Sequence, residues 1–174
     1  GLHHVTAIAA DPRENLAFYT DVLGLRFVKR TVNFDDSSTY HLYYGDEVGT
    51  PGTVLTFFPF EDAQQGRTGR GQTGATAFVV PEGSLDYWRG RLNDADVEVT
   101  ARTERFGERV LAFRDPEGQS LELVEGESDI EPWDGGDVPA EHAVRGFHGV
   151  TLLSTAPDST GAVLEEMGYR REGG

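Results

Sequence analysis

Residues 1–30 read GLHHVTAIAADPRENLAFYTDVLGLRFVKR, and residues 146–172 read GFHGVTLLSTAPDSTGAVLEEMGYRRE. Gly1-Leu2-His3-His4-Val5-Thr6 aligns with Gly146-Phe147-His148-Gly149-Val150-Thr151, and Leu23-Gly24-Leu25-Arg26 aligns with Met167-Gly168-Tyr169-Arg170. A stretch that recurs in this way marks a structural unit used more than once. In the first copy, residues 2–9 predict a strand. Asp11 then suits a helix cap, Pro12 the first helical position, and Glu14 the return bond of a capping box. Leu16, Tyr19, Thr20 and Leu23 form one helical stripe, and Gly24 suits a left-handed helix end.

Strands are expected over 25–34, 40–45 and 53–60, with turns at Asp35–Ser38 and Pro51-Gly52. Residues 1–60 therefore read as one β-α-β-β-β unit. The Gly-rich loop 61–73 lacks the Gly-Lys-Ser/Thr ending of a phosphate-binding loop. The pattern then returns over 74–126. Strands are expected at 74–81, 97–102, 109–115 and 120–126, and a helix from Ser84 carries Leu85, Trp88 and Leu92. Residues 127–145 read as a linker, and 146–174 as the first strand and helix of a third, incomplete unit. The fold class expected is α+β, with tandem βαβββ units forming curved mixed sheets. With no further strands to cover it, the third unit is expected to fray beyond about residue 127 or to join a second copy of the chain.

The chain has 174 residues, a formal net charge of -15 and no cysteine. Disulfides and thiolate chemistry are excluded, so a metal would need nitrogen and oxygen ligands. The acidic balance makes nucleic acid and anionic membrane poor partners, and no apolar run is long enough to span a bilayer. Lys29 is the only lysine. That composition suits a salt-rich cytoplasm, where ions screen the repulsion among carboxylates.

In a strand, adjacent side chains face opposite ways. His4 should share a face with Thr6 and Ile8, and His3 should go with Val5, although alternation is least strict at a strand's start. HHVT at the first strand, FYTDVLGLRFV across the first helix and the repeated unit resemble the vicinal oxygen chelate superfamily of glyoxalases, bleomycin- and fosfomycin-resistance proteins and extradiol dioxygenases. LGLRFVKRTVNFDD, YHLYYGDEVGTPGTVLTFFPF, EGSLDYW, RFGER and EHAVRGFH are similar to the hydroquinone-type ring-cleaving dioxygenases within it.

That resemblance implies a non-haem Fe(II) site, with Mn(II) as an alternative, that opens a hydroquinone or catechol ring with O₂. It makes His4 a metal ligand, with His3 and Thr6 catalytic surroundings. Glu122, in SLELVE, stands at the family's carboxylate position and is read either as the second ligand or as a retained or structural carboxylate. Thr56, Ala75 and Gly149 occupy ligand positions without ligating groups. The remaining ligands are expected in a fourth unit, and the 174-residue chain alone is expected to be metal-poor and inactive. Phe57, Phe58 and Tyr43 are read as pocket lining or as simple core, His41 as a sheet residue and His142 as having no role. A glyoxalase-type isomerase or lyase and a metal-free binding module like the bleomycin-resistance proteins are the alternatives. The partners expected are a small aromatic substrate, O₂ and a further copy of the chain.

Overall fold

A computed structural model describes residues 1–172 apart from 62 and 65. Parts of the 61–73 loop and the Gly173-Gly174 end of the third unit thus lie outside the described residues. The first unit builds a four-stranded sheet from β1 (His4–Ala9), β2 (Arg26–Val32), β3 (Tyr40–Gly45) and β4 (Val54–Pro59), in the order β1-β4-β3-β2. The second builds a five-stranded sheet from β5 (Gln72–Val80), β6 (Val99–Arg105), β7 (Glu108–Arg114) and β8 (Ser120–Glu125), with β9 (Phe147–Leu153) added, in the order β6-β7-β8-β5-β9. In both sheets the first strand of the unit runs parallel to the last, β1 to β4 and β5 to β8.

One face of each sheet carries the core. Tyr44, Leu55, Phe57, Phe78, Leu111, Phe113, Leu121 and Leu123 are buried in a single cluster with Tyr19, Leu23, Trp88 and Leu92 from the helical segments. Phe57 is thus core and does not line a pocket; its β4 neighbour Phe58 turns the other way, as pleating requires.

The first helix departs from the expected stripe. It is α-helical over α1 (Pro12–Ala17) and continues as a π-helical turn over Phe18–Val22, where the Leu23 amide donates to the Phe18 carbonyl at 3.0 Å. The wider turn rotates the buried face, so Asn15, Phe18, Tyr19 and Leu23 are inside while Leu16 faces solvent. Asp11 caps the start by accepting from the amides of Arg13 and Glu14. The return bond expected from Glu14 comes instead from the second unit. Glu117, in the β7–β8 turn, accepts from the amides of Ala10 at 2.7 Å and Asp11 at 3.1 Å. Gly24 ends the segment at φ +69°.

The second helix, α2 (Leu85–Asp94), is held by β8 and by the linker. Glu125 accepts from the Leu85 amide at 3.0 Å. The Trp88 indole donates to the His142 carbonyl at 2.8 Å, and the His142 ring stacks on Tyr87 at 4.3 Å between centroids. His142, given no role by the sequence, thus holds the linker onto α2. Val138 and Ala143 join the core. Fraying from residue 127 is therefore not what happens. β9 pairs antiparallel with β5 of the same chain, from Gln72↔Leu153 to Phe78↔Phe147, and α3 (Pro157–Glu166) follows it.

Candidate active site

Among the described residues, the face of the first sheet opposite the core carries no buried apolar cluster, and the first-unit candidates other than Phe57 lie on it or at its rim. β1 places His4, Thr6 and Ile8 on this exposed side, with Ala9 turned into the core. The register Thr6↔Thr56 and Tyr43↔Thr56 makes a row of Thr6, Thr56 and Tyr43 across three strands. The Thr6 and Thr56 hydroxyls bond each other at 2.8 Å, and Thr56 is only 1% exposed.

Lys29 completes that row because of a bulge. Phe27 pairs with Tyr44 on the core side, and Lys29 would share that side by simple alternation. The register shifts between them, so Lys29 pairs with Tyr43 and comes over to the open face. Its ammonium lies 4.5 Å from the centre of the Tyr43 ring, a cation–π distance.

The next row begins at Ile8, continues through Phe58 and His41, and ends at Thr31, which pairs with His41. The His41 ring packs against two others, 4.1 Å from Phe58 and 4.1 Å from Tyr43 between centroids. Its Nδ1 bonds the Tyr43 hydroxyl at 2.7 Å. Burial, followed by the charges of Lys29 and His4, pushes the His41 pKa down, which favours the neutral ring. His41 is a sheet residue, as expected, and also the centre of the aromatic group on this face. A strand's alternation gives His41 and Tyr43 the same side. Their packing with Phe58 depends on the β3–β4 register, which no local pattern specifies.

His3 does not turn away from His4. It precedes β1, where alternation has no hold, and its Nδ1 lies 3.1 Å from His4 Nδ1. That contact leaves the Nε2 edge of His4 for another partner. A metal-binding imidazole is ordinarily held through its other nitrogen in this way. Glu122 lies on the second sheet. Arg105 grips it with two bonds, at 3.2 and 2.5 Å. Among the described residues, no three His, Cys, Asp or Glu side chains gather as a metal cage. The donor set on this chain thus suits one leg of a metal site, His4, and does not by itself complete one.

Residues 1–123 match the Glyoxalase/Bleomycin resistance protein/Dioxygenase superfamily. MhqO of Bacillus subtilis strain 168, which carries the name of a ring-cleaving dioxygenase, is 51% identical over 175 residues, covering 99% of this chain and 56% of its own length. A chlorohydroquinone/hydroquinone 1,2-dioxygenase of Sphingobium indicum is 40% identical over 156 residues, covering 87% of this chain and 49% of its own length. A solved Bacillus subtilis structure described as a dioxygenase superposes with a TM-score of 0.93 at 50% identity, over 99% of this chain and 57% of that one. The chain spans about half the length of the curated relatives it matches.

Proposed function

Since the chain belongs to the glyoxalase/bleomycin resistance protein/dioxygenase superfamily, we propose that it carries part of the active site of a ring-cleaving dioxygenase acting on a dihydroxylated aromatic. The observation that carries this reading is the open face of the first sheet. It offers a histidine with a free Nε2 edge, a hydroxyl pair and an aromatic wall on one surface. The similarity to a hydroquinone 1,2-dioxygenase supports the substrate class. In the reaction, one ring carbon–carbon bond and the O–O bond break, and both oxygen atoms end on the separated carbons. No external reductant is required.

In this reading His4 is a ligand to Fe(II), with Mn(II) as the alternative, and a bound divalent ion lowers the pKa of a coordinated hydroxyl. His3 orients His4 through the Nδ1 contact, and its own Nε2 takes or returns a proton. Thr6, tied to Thr56, presents a hydroxyl beside the reacting ring. Tyr43 and Phe58 give the ring an apolar wall. Glu122 is proposed as a structural carboxylate, because Arg105 occupies both its oxygens.

The test uses the full-length protein. His4→Ala is expected to lose bound iron by elemental analysis, whereas His3→Ala keeps iron and loses hydroquinone-dependent O₂ uptake. Glu122→Gln is expected to keep both. Full iron content in His4→Ala, or no O₂ uptake by the unaltered protein, refutes the reading. The 174-residue chain, measured in parallel, is expected to be metal-poor and inactive.

A further inference from the structure

The two sheets share a register. The Phe60 amide donates to the Ala9 carbonyl at the end of β1 and β4, and the Gly126 amide donates to the Val80 carbonyl at the end of β5 and β8. Counting back from these bonds, Ala75 stands where His4 does and Glu122 where Thr56 does. The sequence repeat puts Gly149 of β9 at the His4 position of the third unit. Direct pairing then makes one row, Gly149, Ala77, Glu122 and Ala112, on the face opposite the core. A Cβ on Gly149 would meet no atom within 4 Å. The second sheet thus repeats the plan of the candidate site, with alanine and glycine at the imidazole positions and one carboxylate beside them.

That carboxylate is already matched. The Glu122 side chain is only 13% exposed, and Arg105 takes both its oxygens. Glu108 pairs with Arg105 across the β6–β7 turn, and its Oε2 lies 2.9 Å from His148 Nε2 on β9. In the order β6-β7-β8-β5-β9, the tip of this hairpin is therefore tied to β8 through Arg105 and to β9 through Glu108. Ala77, Val110 and Val124 are buried on the same face. A guanidinium is always charged and meets a carboxylate in a planar fork. An incoming ion would have to strip it from Glu122 and leave a charge without its partner, which is costly.

We propose that this face is a copy of the metal-binding face shut by its own hairpin, with the Arg105 guanidinium taking the place of a divalent ion at Glu122. Arg105 is thereby a selectivity residue, because it confines metal to the His4 face. The inference rests on the reading of His4 as a metal ligand. Without Arg105, a mostly buried carboxylate lacks a cation, and a carboxylate suits an ion such as Mn(II). Ala75 and Gly149 are diagonal neighbours across β5 and β9, with Cα atoms about 7–8 Å apart. Ala75→His and Gly149→His would therefore set two imidazoles beside Glu122, the donor set of a facial triad.

The 174-residue chain carrying His4→Ala, which silences the first face, is titrated with Co(II) and followed by visible absorption and calorimetry. With Ala75→His, Gly149→His and Arg105→Ala it is expected to bind one Co(II), at least a hundredfold tighter than the same two histidine substitutions with Arg105 retained. Adding Glu122→Gln should abolish that gain. Equal affinity with and without Arg105 overturns the inference, and so does an absence of binding by a variant whose circular dichroism shows it folded. Where that variant does not fold, a measurement without grafted histidines decides. Arg105→Ala alone should melt several degrees lower, and millimolar Mn(II) should restore part of the loss beyond its general effect on the unaltered chain. The restoration should disappear when Glu122→Gln is added, and no restoration at all overturns the inference. Because His4 is absent from the titration, a negative result there leaves the dioxygenase reading intact. Full iron content in His4→Ala of the full-length protein removes that reading and leaves the result at Arg105 and Glu122 as it is.

Discussion

The Tyr19 hydroxyl of the first unit donates to Asp115 Oδ2 of the second at 2.8 Å, across 96 positions of sequence and inside the shared core. Asp115 Oδ1 accepts from the Gln119 amide, so both carboxyl oxygens are engaged. Burial is the largest influence on this carboxyl and raises its pKa above the ordinary value, with the Tyr19 and backbone bonds acting in opposition. The charged form is therefore the disfavoured one in the fold. Its contribution to stability is complete below the unfolded value of about 3.9 and is lost as pH rises through the higher folded value. Unfolding free energies of the unaltered chain and Asp115→Asn, measured from about pH 4 to pH 7, should therefore differ by an amount that falls as pH rises. Tyr19→Phe leaves Oδ2 without its donor and should cost about 1–3 kcal/mol in urea unfolding at neutral pH.

Glu117 serves two amides at the start of α1 from outside the unit that contains them. Glu117→Ala should cost about 1–2 kcal/mol, the scale of a lost helix cap. The same substitution at Glu14, which makes no such bond, should cost a few tenths at most. Equal losses at the two positions, read from urea midpoints, would return the cap to Glu14.

Gly24 has φ +69°, and a Cβ placed there would lie 2.5 Å from Val138 Cγ2 of the linker. Gly24→Ala combines left-handed strain, about 1–2 kcal/mol, with that clash. In a Val138→Ala background the clash is relieved and the strain remains. A double-mutant cycle should therefore give a favourable coupling between the two substitutions. A coupling of zero would mean that the linker moves aside freely.

Salt should stabilise the chain. Its net charge is -15, and raising ionic strength from about 0.1 M to 1 M shortens the screening length from about 10 Å to about 3 Å. The melting temperature in molar potassium chloride should exceed that in dilute buffer by several degrees. Potassium chloride and sodium chloride should act alike if screening is the cause. Equal melting temperatures in dilute and molar salt would remove the self-repulsion argument.

The sequence by itself determined the units and their elements. The Asp11-Pro12 helix start, the Gly24 stop and the alternation through HVTAIA each depend on residues within a few positions of one another, and the repeat from Gly1 and Gly146 is visible when its two copies are set side by side. For the same reason alternation placed His4, Thr6 and Ile8 together without reference to any other strand. What depended on distant chain was settled only by the tertiary structure. The bulge after Phe27 carries Lys29 to the open face, because pairing with Tyr43 outweighs simple alternation along β2. The π-helical turn exchanges Leu16 for Asn15 in the core, where the Tyr44 hydroxyl meets the Asn15 side chain at 2.8 Å. Arg105, 17 positions away, takes the carboxylate of Glu122. His41 becomes the centre of the aromatic wall only once β3 registers against β4, because a strand's own sequence specifies which face a side chain takes but not which neighbour it meets across the ladder.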